Sequence, residues 1–587
     1  MLPLRAPYWQ QLFGIDLRSL ALFRIAIALT CILEMAHIWT DSSAFFAVDG
    51  LYPRDEAIQW SDPSSWSLYY LSGHVLWARF LLCLTMLSSL ALLVGYRTRV
   101  AAFLCWILIF SYSTRIVALG SGAHMLLVGL LFWAMFLPLN AKFSIDSALN
   151  TIKVKSNHYL SAATFALLIQ MMCLYLFSGL LKSDPVWNTT GDAIYYVLNT
   201  TSIPTALGVY LGQWPALTHY LTLYVYYLEI IAAVLLFFPY KNELSRLIIL
   251  PFLIALHVSF IFFLAIGTFP FVCLSGLVVF IPSLAWDKFL AWFNHRPIRS
   301  KIVLYYDQPC EFCRKVCLIF KELGLPAHTP VLAAQEHEPA AQIFQRERSW
   351  IVQDGDGNYR THWDAVAWCW RRSPLLWPLG VLFLPRFMQT VGNGLYQVIS
   401  HYRGQCAKIT GRYFPYTAIS LDFKPLFFTQ GLLGLLAILL LVSHINTLPD
   451  LDISKERISN ILSRVGLSQD MGFFAPSPLR VTRWVVIEGV LSDGSVVDLL
   501  RKEDNPPPVD KPANGYDAYP NHYWFKLFDR IAYNVGWANL IGHHYCTSEA
   551  ENKLASMKLS VYEQETVLPG APSLPIVPGA VLAYECE

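Results

Sequence analysis

Long apolar stretches recur along the chain, at 17–39, 75–95, 99–119, 121–139, 159–181, 216–239, 244–266, 269–285 and 425–446. A helix of about 20 apolar residues crosses a bilayer, so each stretch is read as a membrane span. Two regions break this pattern. The first opens on 301–307, KIVLYYD, whose alternation and Val, Ile and Tyr content predict a short strand. RKVCLIFKELG then predicts an amphipathic helix ending at Gly324. The second region holds alternating runs at 483–500 and 558–568, with a hairpin predicted at Asp493-Gly494. NHYWFKLFDRIAYNV has helical spacing. Residues 1–16 carry Arg5, and no small-residue cleavage site interrupts 17–39, so that stretch is expected to be a retained helix and not a signal peptide.

Composition narrows the class. The chain has 587 residues, 55% hydrophobic and 14% charged, against about 25% charged in soluble domains. A purely soluble enzyme and a disordered chain are both excluded. The net charge of +2 gives no nucleic-acid signal. It conceals an asymmetry: residues 286–424 hold 17 Lys/Arg against 11 Asp/Glu, and residues 448–587 hold 12 against 18. The short links between spans alternate in the same way. Arg97, Arg99, Lys142, Lys153, Lys155, Lys241 and Arg246 fall on one side, and Asp41, Asp49, Asp55, Glu56, Asp62, Asp184 and Asp192 on the other. The positive-inside rule then places the N-terminus and 286–424 in the cytoplasm and 448–587 outside.

Charge within a span is costly. Arg24, Glu34, Arg79, Arg115, Lys182 and Glu229 are such residues. Glu229, His124 and His257 have no route to water from mid-span, so they are expected to face one interior cavity, with Lys182 closing it from the outer side. The structural alternative is internal pairing that fixes helix packing.

DLRSLALFRI (16–25), GYRTR (95–99), GAHMLLVGLLFWAMFLPLNAKFSID (122–146), QMMCLYLFSGLLKSDPVWNTTGDAIYY (170–196), YYLEI (226–230) and HVSFIFFLAIGTFPF (257–271) together resemble the HTTM domain, shared with vitamin K-dependent gamma-carboxylase. The resemblance covers about 16–285. It implies a multi-helix membrane core and, from the carboxylase members, binding of a reduced quinone. His124 falls where carboxylases have the His of an Asn-Asn-His motif, with Gly122 and Ala123 replacing the asparagines. Ala118 stands where their catalytic lysine is expected, so Glu carboxylation is not expected of this chain.

CEFC follows the 301–307 strand and opens the next helix. A strand, Cys-x-x-Cys and a helix form a redox arrangement. Cys310 would meet the positive end of the helix macrodipole, with Arg314 and Lys315 nearby, and is expected to be the attacking and more exposed thiol. Cys313 would resolve the mixed disulfide. Asp307 either raises the thiol pKa, shuttles a proton, or has a capping or surface role. Half of a zinc site is the rival reading, but no second ligand pair appears and no metal is expected. YYDQPCEFC and WIVQDGDGNYRTHWDAVAW, with a turn at Asp356-Gly357, resemble the DCC family of predicted thiol-disulfide oxidoreductases, and YQVISHYR resembles its closing helix. The resemblance implies a thioredoxin-like α/β fold. It departs from that pattern at Arg348-Ser349-Trp350, where no proline precedes the strand, and at His362-Trp363, where a glycine is usual.

Cys546 and Cys586 are the only cysteines after the last span, and an oxidising compartment would let them pair. QDMGFFAPSP (469–478) resembles the start of the outer domain that follows HTTM in related bacterial proteins. The expected architecture is therefore a multi-pass α-helical membrane protein of the bacterial inner membrane. It has an HTTM-like domain of about eight helices at 1–285, a DCC/thioredoxin-like cytoplasmic insert at 298–410, a further span at 425–446 and a small, mostly β extracytoplasmic domain at 448–587. The expected function is membrane-bound thiol-disulfide exchange, with a quinone or other membrane lipid as a possible ligand. The alternative is a non-enzymatic scaffold or assembly subunit with membrane-protein partners.

Overall fold

The computed structural model describes residues 8–586 except 64, 153, 155, 295–300, 374–376, 384, 420–426, 450, 452, 532–537 and 549–553. Arg5, and the expected domain edges at 298 and 425, lie outside the described residues. Six helices are long and apolar enough to cross a membrane: α1 (Leu17–Trp39), α2 (Val75–Val94), α5 (Ala162–Leu181), α6 (Pro215–Leu236), α7 (Asn242–Phe263) and α14 (Phe427–Ile445). The chain is a multi-pass membrane protein.

The other three expected spans are helical but differ. α3 (Thr98–Arg115) has 18 residues and carries Arg99 and Arg115. α4 (Gly122–Ala134) has 13 residues, too few to cross alone. The stretch near 269–285 is not one rod: α8 (Phe269–Leu277) continues through a short turn to Phe280, then meets α9 (Ser283–Asn294) at 90°. Pro282 lies at the break, where it has no backbone N–H to continue a helix.

Buried charges tie the bundle together. Asp16 caps α1, accepting from Arg18 N–H at 2.8 Å. Arg24 donates to the carbonyls of Leu139 at 3.0 Å and Phe143 at 2.5 Å. Gly95 ends α2 with φ 68°, and a Cβ there would lie 2.6 Å from Arg24 Nη1, so glycine serves both the turn and the close approach. Arg115 donates to the carbonyls of Phe45 at 3.0 Å and Tyr52 at 2.6 Å. For these two arginines, satisfying backbone carbonyls accounts for charge within a helix.

The insert has its own small cores, one around Leu304, Cys317, Val352 and Trp368. Its strands are β1 (Val303–Tyr306), β2 (Val331–Ala333), β3 (Ile351–Gln353) and β4 (Tyr359–Thr361). Sheet order is β2-β1-β3-β4, with β1 parallel to β2 and antiparallel to β3, and β3 antiparallel to β4. α10 (Glu311–Gly324) joins β1 to the β2 edge, and α11 (His362–Arg372), α12 (Arg386–His401) and α13 (Arg403–Tyr413) follow β4.

After α14 and α15 (Lys455–Ser463), a second sheet forms from β5 (Val481–Leu491), β6 (Val496–Asp498), β7 (Leu554–Glu565) and β8 (Val577–Glu585), in the order β8-β7-β5-β6 and antiparallel throughout. β5 and β6 make the hairpin around Asp493-Gly494. α16 (His522–Ile531) and α17 (Ala538–Ser548) lie between β6 and β7, so this segment is mixed and not mostly β. The alternation of its strands is plain in the sequence, whereas the helices come from its amphipathic middle. Its buried residues join those of the bundle in one continuous core.

The two non-membrane parts meet opposite ends of the bundle. Glu322 of α10 accepts from Phe143 N–H at 3.0 Å and Ser147 Oγ at 2.8 Å, in the link after α4. At the other end of α4 and α5, Gly122 and Lys182 share a cavity with His522 and Lys526 of α16.

Candidate functional site

Cys310 and Cys313 are joined by a disulfide, with Cα atoms 5.2 Å apart. Cys310 is the N-cap of α10, and its Sγ accepts from the Cys313 N–H at 3.2 Å. Placing sulfur on an otherwise unpaired first-turn donor favours its thiolate once the bond is reduced. The expected exposure is reversed: Cys310 is 9% exposed, and Cys313 is the more open of the two. The capping geometry explains this, because it turns Cys310 inward over the first turn. Asp307 is held by other partners. Its carboxylate accepts from Gln335 at 2.7 Å and pairs with Arg403 at 3.2 Å, while its carbonyl accepts from Cys310 N–H at 2.9 Å. Lys315 is buried, donating to the Thr410 carbonyl at 3.2 Å. Cys317 is fully buried in the insert core, and burial pushes its thiol pKa up, so it is not a third reactive thiol.

Three of the four expected membrane-site residues come together. Lys182, Glu229 and His257 line a cavity of about 570 Å³ with mostly apolar walls. Lys182 Nζ donates to Glu229 and, at 3.0 Å, to Ser178 Oγ. It also lies 4.9 Å from the Trp187 ring centroid. His257 Nε2 and the Tyr175 hydroxyl are 2.9 Å apart.

His124 belongs elsewhere. Its Nδ1 accepts from Ser121 N–H at 3.0 Å, so its Nε2 carries the proton and donates to Glu34 at 2.7 Å. Both nitrogens are engaged, which leaves none for proton abstraction. Glu34 also accepts from Thr268, from Tyr523 of α16 and, at 3.0 Å, from Tyr112. The start of α4 dictates this separation, because the Ser121 backbone captures the ring three residues on.

Residues 14–286 match the family model of the HTTM domain. This stretch, a little under half of the chain, is similar to that domain. The match covers the bundle from just before α1 into α9. No curated protein and no solved structure matches the chain. At position 118 the bundle has a fully buried alanine.

Lys526, His522, Tyr523 and Phe473 escape a reading of the sequence. The first two and Phe473 line the cavity, and Tyr523 reaches Glu34. Their only sequence signal is the helical spacing of α16 and the apolar GFF at 472–474, neither of which points to a membrane cavity. Cys546 and Cys586 are joined by a disulfide that ties α17 to the residue following β8. Among the described residues, no cluster of three or more His, Cys, Asp or Glu could hold a metal ion.

Proposed function

We propose that the insert is a thioredoxin-like domain and that the protein is a membrane-bound thiol-disulfide oxidoreductase using Cys310 and Cys313. The observation that carries the reading is the Cys313 N–H aimed at Cys310 Sγ on the first turn of a helix that follows directly from a strand. The β2-β1-β3-β4 order, with one parallel and two antiparallel pairings, supports the fold assignment. In the reduced form, Cys310 thiolate attacks a partner disulfide and expels the partner's thiolate. Cys313 then attacks the mixed disulfide, releasing the partner's second thiolate and closing Cys310–Cys313. Two electrons pass to the partner, and the two expelled thiolates take up their protons from the Cys313 thiol and from water.

Coupling to a quinone in the membrane is not part of this reading. The disulfide's domain and the cavity meet opposite ends of α5, whose 20 residues set them about 30 Å apart. A scaffold or assembly role is the second reading, and the inward turn of Cys310 together with the tethering of Asp307 by Arg403 favours it.

Titration of membranes in glutathione buffers, with alkylation and peptide mapping, tests the proposal. An oxidoreductase gives a reversible Cys310–Cys313 transition within the buffer's range. A pair that stays oxidised until the protein unfolds supports the scaffold.

A further inference from the structure

We propose that the membrane cavity holds a single-chain amphiphile with an acidic headgroup, its anion met by the ammonium of Lys526. This does not rest on the dithiol reading. Apolar side chains such as Leu174, Val225, Leu256, Phe260 and Phe473 make most of the wall, which suits an acyl or prenyl chain. The volume of about 570 Å³ falls in the range of a site for one small molecule.

The charges choose the headgroup. The wall contains two ammonium groups, Lys182 and Lys526, and one carboxylate, Glu229. Lys182 is spoken for by Glu229. No carboxylate among the described residues lies within 4.0 Å of Lys526. Asp529, its neighbour on α16, is paired with Arg483 at 3.4 Å. His522 adds no charge, since burial holds its pKa near 3. The cavity wall therefore carries one ammonium without a directly paired carboxylate; it lies 5.4 Å from the Phe525 ring centroid, and burial lowers its pKa against the more distant attraction of Asp529. An amphiphile's anion entering the cavity gives the Lys526 ammonium an ion-pair partner. A neutral quinone would leave that ammonium without an ion-pair partner.

Lys526 reaches the cavity from the C-terminal segment, so the site is completed only when α16 seats on the bundle. Phe473, also from that segment, lies beside Phe269 with ring centroids 4.8 Å apart. The amphiphile would thus be held between bundle and C-terminal segment.

Binding to the full-length protein in nanodiscs tests the proposal, with labelled palmitate as probe and methyl palmitate, hexadecyl phosphate and a short-tailed ubiquinone as competitors. Palmitate should bind at least about tenfold more tightly than its methyl ester. Lys526→Met should reduce that preference to about twofold or less with ester affinity unchanged, and Lys526→Arg should retain it. Stronger binding of hexadecyl phosphate than of palmitate also supports the proposal and identifies a phosphorylated lipid as the source. Equal binding of acid and ester to the wild-type protein, or stronger displacement by the quinone than by either acid, overturns it whether or not the variants fold.

Discussion

Tyr523 of α16 donates its hydroxyl to Glu34 of α1 across a sequence separation of 489 residues. One end of this bond lies in the first membrane helix and the other in a helix beyond the last. It joins the C-terminal segment to the bundle with which that segment shares a core, while the insert keeps its own. Glu34 stays fully buried because His124, Thr268, Tyr112 and Tyr523 all turn polar hydrogens toward it.

Removing the Tyr523 hydroxyl should loosen this seat. Tyr523→Phe keeps the ring and deletes one donor to a buried carboxylate, a loss of about 1–3 kcal/mol. We expect a lower thermal midpoint in detergent and faster proteolysis of 454–586 than of the bundle. An unchanged digestion pattern would show that the apolar contacts alone hold α16.

The Lys182–Glu229 pair should behave as a unit. Glu229→Gln strands an ammonium against apolar walls, and breaking such a pair costs about 3–5 kcal/mol. The double variant Glu229→Gln with Lys182→Met should recover most of that loss. Thermal unfolding of the three variants forms the cycle, and additive losses would contradict a direct pairing.

Parts of this arrangement were legible in the sequence. The Cys-x-x-Cys helix could be read because its chemistry lies within four residues of chain. Lys182 and Glu229 were legible as costly charges needing company, since an apolar stretch advertises whatever interrupts it. His124 looked equivalent to them, but a bond to the Ser121 backbone and the approach of Glu34 from α1 took it out of the cavity. Lys526 was invisible for the opposite reason. In a charged, amphipathic segment another lysine signals nothing, and only the docking of α16 gives it an apolar setting. The count of spans exceeds the six long apolar helices by three: α3 carries an arginine near each end, α4 ends early, and hydropathy does not register the break at Pro282.

The Cys546–Cys586 bond should be found in the protein as isolated without reductant. Peptide mapping of the full chain should yield the linked pair. Reduction, or Cys586→Ser, should lower the stability of the C-terminal segment by about 2–4 kcal/mol for a closure over 40 residues. Recovery of both peptides as free thiols would refute the assignment.

The charge alternation of the links predicts opposite sides for the insert and the C-terminal segment. Reporter fusions after residue 299 and after residue 587 should give opposite signals, the first cytoplasmic. Two signals from one side would mean that α14 does not cross between them.

The central claim is exchange at the Cys310–Cys313 pair, and trapping of mixed disulfides in intact membranes tests it most directly. Cys310 holds the sulfur on the helix's first-turn N–H, so Cys313→Ser should accumulate a reductant-sensitive adduct through Cys310, and Cys310→Ser should accumulate none. Equal alkylation of the two thiols near neutral pH, with neither variant trapping a partner, would contradict the redox account.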